Sequence, residues 1–164
     1  MKTLLLVRHA KSDHGDPRLA DHDRELNERG LRDAPMMGRR LVARGVAPDL
    51  IVSSTARRAL HTARLLAEAI DYPRRRIETR AELYAASEDT WLETIELLPD
   101  DRACAMIVGH NPEITAVANR LGRRPIDNVP TCGILLLEYA TDAWVDVPSG
   151  TPCNWVFDYP KAAH

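Results

Sequence analysis

The chain has 164 residues, enough for one domain with a sizeable core that needs neither disulfides nor a structural metal. Its 22 lysines and arginines against 24 aspartates and glutamates create no global field for nucleic acid or an anionic membrane, so any anion site must be local. No apolar run reaches the length of a signal-peptide core or a membrane span, which predicts a soluble, cytoplasmic protein.

The first element is the apolar run Leu4-Leu5-Leu6-Val7, which stops on Arg8-His9-Ala10. A short run of this kind reads as a strand buried on both faces, and open α/β sheets place their chemistry at the carboxyl ends of such strands. An isolated Arg-His pair there also has an ordinary surface explanation, so other parts of the chain must decide. The loop Lys11 to Glu25 follows; it holds His14, His22 and five acidic residues, but matches no metal-ligand spacing and reads as a solvated rim.

Asn27 is placed to cap a first helix whose apolar stripe is Leu31, Ala34, Gly38, Leu41 and Val42, with Gly45 and Pro48 ending it. Pro35 predicts a kink or the start of a second helical piece. Leu50 to Ser53 is the second strand, and Ser53-Ser54-Thr55 supplies the turn and cap of a second helix. That helix buries Ala59, Thr62, Ala63, Leu66, Ala67 and Ile70, with Arg57, His61, Arg64 and Glu68 opposite. Arg58 flanks the buried stripe in the first turn and is positioned to lean inward, whereas Arg57 is expected to be solvated.

A basic connection with a short strand around Ile77 leads to a third helix, capped by Ser87 and carrying Trp91, Leu92, Ile95 and Leu98. Ala103 to Val108 is a further apolar strand that runs into Gly109-His110-Asn111-Pro112, where Asn111 as N-cap and Pro112 as first residue start a helix burying Ile114, Val117, Ala118 and Leu121. Ile134 to Tyr139 is a strand, Trp144 to Val147 and Asn154 to Tyr159 read as a terminal antiparallel hairpin, and Pro160 to His164 as a frayed tail. Cys104, Cys132 and Cys153 are odd in number and widely spaced, so buried free thiols are expected rather than a disulfide framework or a zinc site. Strands alternating with helices predict an α/β fold: a single three-layer α/β/α sandwich with a mainly parallel central sheet.

Three strand ends thus each offer a cationic or imidazole group: Arg8 and His9, then Arg58, then His110. Were these strands neighbours, two guanidinium forks, imidazoles and helix starts would converge on a pocket suited to a tetrahedral oxyanion, above all phosphate. A neutral histidine whose second nitrogen is fixed by a hydrogen bond is a competent phosphoryl acceptor, and His9 beside Arg8 fits that role; His110 fits a donor to a phosphoryl oxygen.

The segments Arg8-His9-Ala10, Leu26-Asn27-Glu28-Arg29-Gly30, Ser53-Ser54-Thr55-Ala56-Arg57-Arg58-Ala59 with Thr62, and Gly109-His110-Asn111-Pro112 resemble the histidine phosphatase (phosphoglycerate mutase-like) superfamily, and within it the short SixA-type phosphohistidine phosphatases. The likeness runs from Leu4 to Leu137, and Lys11-Ser12-Asp13 resembles the SixA-type continuation of the first segment. It implies a phosphoglycerate mutase-like fold and a histidine-phosphatase domain over residues 1–160, with 161–164 as tail. It further implies a phosphohistidine intermediate on His9, phosphate held by Arg8, Arg58 and His110, and neither metal nor other cofactor.

Larger members carry an inserted acid-bearing segment where this chain is short, which leaves Glu82 as the nearest candidate proton donor and Asp13 as a second. The expected substrate is phosphohistidine on a protein, because an open cleft admits a protein and a phosphorus–nitrogen bond asks less of an enzyme acid. The alternatives are a small-molecule phosphomonoesterase or mutase with the same chemistry, and a non-catalytic phosphate- or phosphopeptide-binding module, for which an intact His9 would be superfluous. A cysteine phosphatase is excluded, since the positions six after each cysteine hold His110, Glu138 and Tyr159.

Overall fold

The computed structural model describes residues 1–163. Its centre is a six-stranded sheet built from β1 (Lys2–Arg8), β2 (Leu50–Ser54), β3 (Glu78–Arg80), β4 (Cys104–Gly109), β5 (Ile134–Tyr139) and β6 (Asn154–Asp158), in the order β3-β2-β4-β1-β5-β6. β3, β2, β4 and β1 run parallel, and β5 and β6 are antiparallel additions at one side, so the sheet is mixed with a parallel majority. The helices are α1 (Glu28–Ala43), α2 (Arg57–Ala69), α3 (Glu88–Glu96) and α4 (Glu113–Gly122).

Apolar runs make the central strands because both faces are covered. Leu4 and Leu6 of β1 and Ala105 and Ile107 of β4 join the core under α3 and α4, whereas Leu5, Val7, Met106 and Val108 join the core under α1 and α2. The period of two sends alternate side chains to opposite layers. Leu4, Leu5, Leu6 and Val7 have no solvent exposure, and each contributes about 2 kcal/mol by burial.

The helix starts follow local capping chemistry. Asn27 accepts from the Gly30 amide at 2.9 Å, and Ser87 accepts from the Thr90 amide at 3.1 Å. The turn before α2 departs from expectation: Ala56 holds the cap position, and the Ser54 hydroxyl accepts from the Ala56 amide instead. At α4 the helix begins at Glu113, one residue later than the sequence suggests. The Asn111 side chain does not cap it, because it accepts from the Thr115 hydroxyl and donates to the Val129 carbonyl.

Other expectations are corrected. Pro35 lies within one continuous 16-residue helix. Met37 joins the buried stripe of α1, and Leu31 and Val42 are exposed, since both sit roughly a quarter-turn from the stripe's centre. Trp144–Asp146 is a 3-10 turn and not a hairpin strand; its buried residue Trp144 and the following Val147, also buried, are three apart, and β6 pairs with β5. Cys132 is buried, but Cys153 is exposed and Cys104 half-buried. The last residue of the expected tail, His164, lies outside the described residues.

Candidate active site

Because β2, β4 and β1 are adjacent and parallel, their carboxyl ends open on one cleft of about 180 Å³, lined among others by Arg8, His9, Arg58 and His110. Arg8 pairs in register with Gly109, and the His9 amide donates to the Gly109 carbonyl at 3.0 Å, which holds the two histidine-bearing strand ends side by side. The His9 and His110 ring centroids are 5.2 Å apart.

Small residues permit this approach. A Cβ on Gly109 would stand 2.3 Å from the Trp91 indole of α3, and a Cβ on Gly30 would stand 2.3 Å from the Lys11 carbonyl oxygen. Gly30 therefore lets the first turn of α1 close on the backbone just after His9, a contact reinforced by the Asn27 amide donating to the same carbonyl at 3.0 Å.

His9 is 6% exposed, and its Nδ1 lies 2.7 Å from the Ala10 carbonyl oxygen. A carbonyl only accepts, so Nδ1 carries the proton and the lone pair of the neutral ring sits on Nε2. Burial lowers the His9 pKa to about 3, with the charges of His110, Arg58 and Arg8 acting in the same direction and the Ala10 bond opposing them. The ring is thus neutral at physiological pH. Ala10 is itself anchored, since its amide donates to the Thr62 hydroxyl at 2.9 Å and that hydroxyl donates to the Arg58 carbonyl at 2.7 Å. One threonine of α2 therefore ties the His9 turn to the helix that carries Arg58.

Arg8 donates through Nη1 to the Val129 carbonyl at 3.1 Å, the same carbonyl that Asn111 holds. Arg58 is 6% exposed and leans inward, while Arg57 points outward to pair with Glu25 at 2.9 Å. His110 meets the Ser54 hydroxyl through Nε2 at 2.8 Å, and burial lowers its pKa to about 4. Ser54 already accepts from the Ala56 amide, so its own hydrogen is best used on His110 Nε2, which assigns the ring proton to Nδ1. Arg8 Nε, Arg58 Nε and His110 Nδ1 are buried without a protein partner. Buried nitrogens of this kind carry an unmet desolvation cost that an oxyanion would relieve.

The loop between β1 and α1 is where sequence reasoning fell short. Its 3-10 turn, Asp21–Asp23, has no buried residue, as a solvated rim should, yet it also packs against the site. The Asp21 carbonyl accepts from Arg58 Nη1 at 2.7 Å, and its carboxylate accepts from Arg58 Nη2 at 3.1 Å and from the Tyr84 hydroxyl at 2.6 Å. The Tyr84 bond, with the Arg58 charge, keeps the Asp21 carboxyl below its ordinary pKa, so it orients Arg58 as a carboxylate and is a poor proton donor. His22 meets the Thr55 hydroxyl at 2.9 Å and packs edge-on against Tyr84. The only forewarning was the Asp21-His22-Asp23 triplet itself.

Glu82 does not join this cleft. It is exposed in the turn Ala81–Leu83 and lines a separate groove of about 270 Å³ between β3 and α3 with Glu78, Arg80 and Glu93. Leu83 is buried in the core, which turns the next residue, Tyr84, toward His110 at a ring distance of 5.7 Å. Asp13 uses its carboxylate on the Gly15 amide. Among the described residues no group of three or more His, Cys, Asp or Glu is placed to hold a metal ion, and His14 and His22 contact different partners.

The chain has relatives among known proteins. The profile of the histidine phosphatase superfamily (branch 1) matches residues 4–86, the half of the chain that carries Arg8, His9 and Arg58. An uncharacterized protein of Mycobacterium tuberculosis is 36% identical across 94% of this chain and 100% of its own. The chain belongs to the histidine phosphatase superfamily.

Within the superfamily, solved structures resemble it over nearly their full length. A provisionally named phosphohistidine phosphatase SixA from Nakamurella multipartitia superposes with a TM-score of 0.80 at 27% identity, covering 98% of this chain and 97% of that one. Its provisionally named counterpart from Agrobacterium tumefaciens gives a TM-score of 0.78 at 27% identity, covering 94% and 97%. The α/β architecture is therefore phosphoglycerate mutase-like. No helix among the described residues is long and apolar enough to cross a membrane.

Proposed function

We propose that this histidine phosphatase removes the phosphoryl group from phosphohistidine on a protein, through a covalent intermediate on His9. The observation that carries the reading is the His9 ring: buried, neutral, locked by Ala10 with its Nε2 lone pair available, beside three buried nitrogens of Arg8, Arg58 and His110 that have no protein partner. In the first step Nε2 attacks phosphorus, and the bond to the substrate imidazole breaks as the new phosphorus–nitrogen bond forms. Arg8, Arg58 and the His110 Nδ1–H hold the phosphoryl oxygens while charge redistributes over them. In the second step water attacks phospho-His9, releasing inorganic phosphate and restoring the neutral ring.

Phosphohistidine fits this cleft better than a phosphate ester. None of the described residues lining it is an aspartate or glutamate, and the nearby Asp21 is held ionised. An alkoxide leaving group needs a proton from such an acid, whereas a substrate imidazole can be protonated on its other nitrogen before it departs as a neutral ring. The similarity to proteins provisionally named SixA over nearly the whole chain supports the same substrate class.

The test is a side-by-side measurement of kcat/KM on a phosphohistidine protein, a sugar phosphate and an aryl phosphate, with rapid acid-free quenching to trap label on the enzyme. We expect phosphohistidine to be the best of the three and an acid-labile label that is absent from His9→Ala. Faster turnover of the sugar phosphate would assign a small-molecule phosphomonoesterase. Binding without label transfer would assign a phosphate-binding module.

A further inference from the structure

The cleft holds more positive charge than one phosphoryl group neutralises. Besides Arg8 and Arg58, it is lined by Lys11, His14 and Arg24 from the loop between β1 and α1. These three are not scattered surface side chains. Ser12 and Leu26 form an isolated antiparallel bridge, and the Asp13 amide donates to the Glu25 carbonyl at 2.7 Å, so the two arms of the loop are zipped together beside the cleft. Lys11 is fixed further by its carbonyl, which accepts from the Asn27 amide at 3.0 Å.

Arg24 stands with Nε 3.1 Å from Asp21, and its Nη1 meets the His14 ring. A guanidinium only donates, so the His14 nitrogen facing it accepts. Asp21 is shared between Arg24 and Arg58, and Glu25 is engaged by Arg57. Four permanent cations thus face one carboxylate. A phosphoryl dianion on Arg8 and Arg58 leaves uncompensated positive charge on the side of Lys11 and Arg24.

We infer that Lys11, His14 and Arg24 form a second anion subsite, and that the preferred substrate carries another anionic group next to its phosphoryl group. The inference rests on the phosphatase reading above. With a protein substrate the second anion is an aspartate or glutamate flanking the phosphohistidine; with a small molecule it would be a second phosphate. Both present oxyanions to the Lys11 and Arg24 cations.

The experiment compares kcat/KM on matched pairs: phosphohistidine peptides flanked by aspartate or by asparagine, and a hexose bisphosphate or monophosphate. Phosphoramidate, which has one anionic group, is the reference. Each substrate is run on the intact enzyme, Lys11→Met and Lys11→Arg. We expect the aspartate-flanked peptide to exceed its neutral partner by about tenfold at low salt, with the advantage falling as salt rises. Lys11→Met should lose at least fivefold more on that peptide than on phosphoramidate, and Lys11→Arg should recover most of the difference.

A bisphosphate preference with equal peptides, abolished in Lys11→Met, would keep the subsite and overturn the protein-substrate reading. No preference within either pair, or a preference that Lys11→Met leaves intact, would overturn the subsite whatever the rates on phosphohistidine. Turnover of phosphoramidate by each variant reports that it is folded.

Discussion

Two concavities beside the sheet make a contrast, and the larger of these two is not where the chemistry gathers. The groove between β3 and α3, about 270 Å³, is lined by aliphatic side chains and by charges that are paired or open to water, such as Arg80 with Glu78 at 2.9 Å. The cleft at the ends of β1, β2 and β4 is smaller, about 180 Å³, yet it holds buried nitrogens that no protein group satisfies. Size follows from how the helices happen to cover the sheet; unmet polar valence inside a cleft has a cost that a ligand would relieve.

The strongest way to break this contrast is to remove His9. His9→Ala should lower kcat by on the order of 10⁴-fold or more and eliminate the acid-labile label; label on the variant would place the phosphoryl acceptor elsewhere. Next comes Arg58→Ala, expected to cost about 10² to 10³-fold in kcat/KM, as for the loss of a donor that stabilises transition-state charge. Its neighbour separates the two faces of α2: Arg57 makes an exposed pair with Glu25, so Arg57→Ala should cost less than about threefold. Equal losses would refute the inward assignment of Arg58.

Asp21→Asn removes the charge that orients Arg58 and should lower kcat/KM by about tenfold, with Tyr84→Phe acting in the same direction by less. The effect should fall on kcat/KM for every phosphorylated substrate and leave the secondary structure seen by circular dichroism unchanged.

Acid provides a weaker handle on activity. With the His9 and His110 pKa values at about 3 and about 4, both rings stay neutral above pH 5.5. Between pH 5.5 and 8 they should alter kcat/KM by less than about threefold beyond the substrate's own second ionisation, which lies near pH 6. Stability has a definite sign. Below the ordinary histidine pKa of 6.5 the unfolded chain takes up protons that the folded rings refuse, so the unfolding midpoint should fall from pH 6.5 toward about 3 and be unaffected by these groups above 6.5. A midpoint independent of pH across that window would mean the rings are not buried as neutral species.

The smallest expected effect lies in the larger concavity. Glu82→Gln should change kcat by less than about twofold on a phosphohistidine substrate, because Glu82 faces the other groove. A loss of 10² would bring Glu82 back as the proton donor and reverse the contrast between the two sites.

The sequence by itself determined the central apolar strands, the phase of α2 and the cationic groups at three strand ends. Continuous apolar runs can be buried on both faces only in a covered sheet, and 3.6-residue phasing separates Arg58 from Arg57 without reference to anything distant. It also carried the resemblance to the superfamily, because those segments are short and contiguous. The tertiary structure alone decided that β4 inserts between β1 and β2 and so brings His110 beside His9, since strand order is set by packing between residues a hundred positions apart.

It alone decided, too, that the polar loop folds back to put Asp21 on Arg58, 37 residues away, and that the turn after β3 presents Tyr84 rather than Glu82. A charged loop residue has the same local signature whether it meets water or a buried guanidinium. What distinguishes the two is the partner, and only the folded chain supplies it.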